Sequence, residues 1–142
     1  MAADVLIRTA RGEEFPQLLA LWCEARGTPG KTDDPAGLRA LIERDRGSLL
    51  VAELNGRIVG SLIAAWDGWR GNMYRLTVHP SCRRRGIARR LVEVGEKRLR
   101  SIGARRISAL VWEEDEPAMR TWLSAGYKHD KGTERLVKTV AD

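Results

Sequence analysis

Cysteine is scarce in this chain: Cys23 and Cys82 lie far apart and outside any CxxC spacing, which excludes a disulfide framework and a thiolate metal cluster. Histidine is equally sparse. His79 and His129 stand fifty positions apart, too few and too distant for a zinc site, so no metal is predicted. Long apolar runs are missing as well, which excludes a membrane-spanning helix. The N-terminal stretch MAADVLIRTARGEEF has no apolar core of the kind a secretory signal needs, and a cytoplasmic location is expected. Between Arg75 and Val111 there is no Phe, Trp or Tyr, so the basic residues there have no interleaved rings on which bases could stack. Neither GxGxxG nor GxxxxGK followed by Ser or Thr occurs.

What is present is an ordinary globular composition. A length of 142 residues with 43% hydrophobic and 31% charged positions suits one domain, residues 1–142, with one sizeable core. The net charge of +6 is confined to one stretch. Residues 83–100 hold eight Lys or Arg against two Glu, and the remainder carries seventeen of each sign. A surplus so local points to an anionic ligand at one place.

The pattern of residues predicts strands alternating with helices. VLIRTAR (5–11) alternates as a first strand, and from Glu13 the residues Leu18, Leu19, Leu21 and Trp22 fall at helical spacing. GTPGKTDDP (27–35) breaks that helix, and a second starts at Pro35 with Asp34 as its N-cap and ends near Gly47. SLLVAEL and RIVGSLIAAW flank Asn55–Gly56, the strongest short hairpin signal. MYRLTVH (73–79) reads as a fourth strand, residues 86–102 as the most regular helix, and RISALVW (106–112) as a fifth strand. EPAMRTWLSAG (116–126) reads as a last helix and RLVKTV (135–140) as a last strand. The fold class expected is α/β (α+β), a mixed sheet in one layer flanked by helices.

The arginine-rich stretch lies between the fourth strand and the long helix. The first N–H groups of a helix are unpaired and sit where its dipole is positive, which suits phosphate. Gly86 lets the backbone approach a bulky anion, Ala88 keeps the next position small, and Arg83, Arg84, Arg85 and Arg89 add charge. The same residues also fit a plain turn with a solvated basic face. A helix-turn-helix is disfavoured, because the segment upstream reads as a strand.

At these residues the chain resembles the GNAT superfamily of N-acetyltransferases. LTVHPSCRRRGIARRLVE is similar to the acetyl-CoA signature of that family, whose loop reads Gln/Arg-x-x-Gly-x-Gly/Ala; here it is Arg83 to Ala88. DGWRGNMYRLTVHP and EEDEPAMRTWLSAGY resemble further blocks, so the likeness spans nearly the whole chain. The resemblance implies a mostly antiparallel sheet splayed between its fourth and fifth strands. It implies acetyl-CoA as co-substrate, the pyrophosphate on the amides of residues 84–89, Ile87 included, and the pantetheine arm along Leu76 and Val78. Asp115, Met119 and Trp122 of the last helix are assigned to the cofactor on the same basis.

Direct acetyl transfer to a primary amine needs that amine neutral, and an alkyl amine with a pKa near ~10 is mostly protonated at pH 7. Glu113 is the candidate base, with an acidic turn at a helix start as its competing role; Asp67 is a further candidate. The N–H of Val78 is the candidate oxyanion donor. Two departures from the family pattern stand out: Trp122 replaces the usual Tyr, and Asp115 the usual Asn. EARGTPGKTDDP and HDKGTERL should line the acceptor site, where Asp33 and Asp34 suit a cation but Lys31, Lys128 and Lys131 suit an anion. The acceptor is therefore an amine of open identity, met by a monomer or homodimer, with neither nucleic acid nor membrane as partner. The competing readings are an acyl-CoA-binding sensor without turnover and a basic nucleic-acid-binding module.

Overall fold

The computed structural model describes residues 4–26 and 30–141; residues 27–29 of the expected helix break lie outside them. The first strand is Leu6–Thr9 (β1), followed by a 3-10 turn at Gly12–Glu14 and the helix Phe15–Arg26 (α1). The helix expected from Glu13 begins two residues later. Glu14 turns back to accept from the Arg11 N–H (2.9 Å) and from Arg8 (2.8 and 2.6 Å), and this closes the tighter turn.

The second helix, Pro35–Arg44 (α2), starts as its cap predicts: the Asp34 carboxylate accepts from the Gly37 N–H at 2.7 Å. Strands Leu49–Leu54 (β2) and Arg57–Trp66 (β3) form the hairpin, with Leu54 opposite Arg57 and positive φ at Asn55 and Gly56. Then come Gly71–Val78 (β4), the helix Ile87–Ser101 (α3), Ile107–Ala109 (β5) and the helix Glu116–Ser124 (α4).

The five strands lie in sequence order, antiparallel from β1 to β4, with β5 parallel to β4. Both faces of the sheet are covered, so β2 reads as a continuous apolar run. Leu49 and Val51 pack with Phe15, Leu18, Trp22 and Leu38 from α1 and α2. Leu50 and Ala52 face the other way, to Leu91, Val92 and Leu99 of α3 and Trp122 of α4. Helix α3 lies close on the sheet because position 95 has no side chain. A Cβ there would come within 2.9 Å of Leu62 and 3.0 Å of Met73, an overpacking worth about 1–3 kcal/mol.

Two expectations need correction at the C-terminal end. The fifth strand spans three residues, not the seven of 106–112, because beyond Ala109 the chain leaves β4. The last strand expected over 135–140 does not form. Residues 128–141 include no helix or strand, and Leu136, Val137 and Val140 are 90%, 76% and 87% exposed. Local alternation gives a segment two faces, but a strand exists only when its N–H and C=O groups meet a neighbour.

Candidate active site

The site is built where β4 and β5 part. Their pairing runs from Gly71–Ile107 to Met73–Ala109, with a last hydrogen bond from the Leu110 N–H to the Met73 carbonyl (3.0 Å). Just beyond, Arg75 takes φ +58°, and the register against β3 shifts between Ser61 and Ile63. This is a β-bulge, and such bulges re-aim a strand. The Arg75 carbonyl turns toward β3, where the Ser61 hydroxyl donates to it at 2.8 Å, and the His79 N–H donates to Val59 on the same side. Strand alternation therefore puts the main-chain groups of Leu76 and Val78 on the open side, away from β3.

Past β4 the chain makes a 3-10 turn, Pro80–Cys82, capped by His79. The His79 Nδ1 accepts from the Ser81 N–H (3.1 Å), so its Nε2 carries the hydrogen shared with Glu24 at 2.7 Å. Its place is structural: it ties the end of α1 to the entrance of the arginine loop. Arg84 (φ +63°) and Gly86 (φ +76°, ψ 9°) then swing the backbone into α3 through left-handed conformations, of which only the glycine's is free of steric cost. No side chain caps this helix. The first helical hydrogen bond at this end runs from the Arg90 N–H to the Gly86 carbonyl, so the N–H groups of Ile87, Ala88 and Arg89 are the orphans at its positive end. Ile87 is buried, which fixes where the helix starts.

Between this loop, the open edge of β4 and α4 lies a cleft of about 510 Å³. Leu76, Val78, Arg83, Arg84, Gly86, Ile87, Ala88, Arg89 and Asp115 all border it. The Asp115 carboxylate is occupied as the α4 cap, accepting from the Ala118 N–H at 3.1 Å. Arg89 reaches the Ser124 carbonyl (3.1 Å) and so links α3 to α4 beside the cleft. Of the remaining sequence candidates, Arg85 is exposed, Met119 half-buried and Glu113 exposed on the turn before α4, none of them bordering the cleft.

Trp122 lies in the core at 3% exposure. Its indole meets Tyr127 edge-on at 4.8 Å, and its N–H has no hydrogen-bond partner among the described residues. Tyr127 donates to Glu96 at 2.9 Å, and burial, reinforced by Glu96, pushes its phenol well above the usual range. The α4 residues that do border the cleft are Pro117, Ala118, Arg120, Thr121 and Ser124. The signal for them was the helical period itself: Ala118, Trp122 and Ala125 mark the core stripe, which leaves positions 117, 120, 121 and 124 on the neighbouring face. Asp67 holds a turn. It accepts from the N–H groups of Arg70 (2.7 Å) and Trp69 (2.8 Å), which lower its carboxyl below the ordinary value.

On the opposite side of the bulge a second cavity, about 300 Å³, opens between α1, α2, β3 and β4. Arg75 borders this cavity and Leu76, the next residue of β4, borders the cleft. No helix among the described residues is long and apolar enough to cross a membrane. Among the described residues, likewise, no group of three or more His, Cys, Asp and Glu is placed to hold a metal ion.

Comparison with known proteins agrees with this architecture. The chain is similar over its length to the aminoglycoside N-acetyltransferase AAC(6')-Iy in complex with CoA (17% identity, TM-score 0.75, covering 98% of this chain and 95% of that one). It is also similar to the PaiA N-acetyltransferase of Thermoplasma acidophilum in complex with coenzyme A (16%, 0.77, 88% and 90%). An N-acetyltransferase of Staphylococcus aureus Mu50 gives 20% identity and a TM-score of 0.74, covering 90% and 86%. Residues 12–127 match the Acetyltransferase (GNAT) family, and the chain accordingly belongs to the GNAT family of acetyltransferases.

Proposed function

We propose that the protein moves an acetyl group from acetyl-CoA directly to a primary amine, without metal or covalent acyl-enzyme. The observation that carries this reading is the uncapped start of α3 at Gly86–Arg89, set against the open edge of β4. The residues fit a coenzyme. Three orphan N–H groups with Arg83 and Arg84 beside them suit a diphosphate, and the open edge at Leu76 and Val78 suits an extended amide chain. Neighbouring folds that bind coenzyme A support the same assignment.

When bound, acetyl-CoA supplies an activated thioester: the amine nitrogen forms the new C–N bond, the C–S bond breaks, the nitrogen gives up a proton and the sulfur leaves as thiol. The chain's own contribution is placement and polarity. An N–H of Leu76 or Val78, on a strand paired to β3, stabilises negative charge developing on an acyl oxygen. Leu76 and Ile87, both buried, give the cleft an apolar floor. With Tyr127 committed to Glu96 and Trp122 in the core, solvent protonates the departing sulfur.

Calorimetric titration with acetyl-CoA, with a short DNA duplex as control, followed by thiol release across an amine panel, tests the proposal. Saturable cofactor binding and thiol release with at least one amine are expected. A steeply salt-dependent response to the duplex alone would overturn it. A sensor that binds without turnover draws on Trp122, and any amine-dependent thiol release would exclude that alternative.

A further inference from the structure

The two aspartates that make the acceptor side look suited to a cation are both occupied within the fold. Asp33, its side chain 6% exposed, accepts from the Gly30 N–H at 2.7 Å through one oxygen. Its other oxygen takes the Arg75 Nε (2.9 Å) and Nη2 (2.8 Å). Asp34 is spent as the α2 cap and borders neither cavity. What remains in the second cavity is a positive surplus: Arg75 and Arg135 border it against the single carboxylate of Asp33. Arg135 makes no ion pair among the described residues and is exposed. A guanidinium has five donors; Asp33 engages the Nε and Nη2 side of Arg75, and Nη1 has no hydrogen bond among the described residues.

The rest of the lining is apolar. Trp22, Leu38, Leu41 and Ile63 form a bed, with Tyr74 beside it. At about 300 Å³ the cavity is at the small end of the range for ligand sites, about 300–1,000 Å³. It has room for one short apolar body. A polyamine or aminoglycoside would bring further positive charge against the net positive charge left by Arg75, Arg135 and Asp33, a repulsion that works as specificity.

We infer that the acceptor is a free α-amino acid with an apolar side chain, its carboxylate held by Arg75 and Arg135 and its side chain over Trp22, Leu38 and Ile63. This rests on the acetyltransferase reading of the adjoining cleft. Arg75 and Leu76 are consecutive in β4, so the cavity that would take the carboxylate and the cleft that would take the thioester are lined from one strand. A peptide N-terminus lacks that carboxylate and is discriminated against.

The test compares leucine with leucinamide and isoamylamine, which keep the apolar body but lose the charge, using the full chain. Three readouts are taken: coenzyme A affinity by calorimetry, binding of N-acetyl-leucine against N-acetyl-leucinamide in the presence of coenzyme A, and kcat/KM for each amine. Leucine is expected to exceed leucinamide by about tenfold or more in kcat/KM, and its product to bind more tightly than the neutral amide, as for a hydrogen-bonded charge. In Arg135→Ala, a change at an exposed position, that ratio should fall toward one. Equal or better use of leucinamide or isoamylamine, with coenzyme A binding intact, would overturn the inference, as would an unchanged ratio in the variant. Loss of coenzyme A binding in the parent chain would instead overturn the proposed function on which it rests.

Discussion

The indole N–H of Trp22 donates to the hydroxyl of Ser61 across 2.8 Å, and the same hydroxyl donates onward to the Arg75 carbonyl at 2.8 Å. One buried serine thus joins helix α1 to the bulge that turns Leu76 toward the cleft. Ser61→Ala leaves both a buried N–H and a buried carbonyl unpaired, at a cost of about 1–3 kcal/mol. Urea unfolding should show the lower midpoint with an unchanged slope. The rate should fall further than stability alone explains, because the bulge loses its anchor.

Replacing Gly86 by Glu should raise the dissociation constant for acetyl-CoA by about a hundredfold or more, a loss of ~2.7 kcal/mol. A Cβ at Gly86 meets nothing within 4 Å, so the fold tolerates it apart from the strain of φ +76°. The damage lies in a carboxylate facing the ligand's negative charge. Titration calorimetry beside a thermal melt separates the two effects, and near-normal affinity would show that the diphosphate sits elsewhere.

The hairpin, α2 and α3 were legible because their signals are local: Asn55–Gly56, the Asp34–Pro35 start and a sustained apolar period in α3 each act within one or two turns of chain. The arginine loop was legible for a related reason, since a helix start needs only neighbouring residues. What stayed hidden depends on distant partners. Asp33 and Arg75 are 42 positions apart, and nothing near either announces that their charges cancel. The segment 135–140 failed in the opposite sense, carrying a strand's pattern without a strand's neighbour.

Acid should weaken this fold through Glu14. Its carboxyl is held below the ordinary value first by hydrogen bonds from Arg8, with the Arg11 N–H adding to the effect against the cost of burial. A carboxyl depressed in the folded state contributes its stability above the unfolded value near 4.5 and loses it as pH falls through the lower folded value. Urea midpoints between about pH 7 and about pH 3 should therefore decline, and Glu14→Gln should be less stable at neutral pH while declining less.

Glu113→Gln should leave the pH profile of kcat/KM in place and the rate within about twofold, because Glu113 is exposed on a turn and borders neither cavity. A profile displaced by the substitution would instead make Glu113 the group that takes the amine's proton.

The three-residue pairing of β4 with β5 carries a consequence beyond catalysis. A sheet left unlaced along part of one strand is completed by whatever lies in the gap, so an occupant serves as a removable structural member. At a hundredfold excess over its dissociation constant such an occupant stabilises the fold by about 2.7 kcal/mol. On the proposed function, the durability of the protein is in this way tied to the abundance of its own reactant.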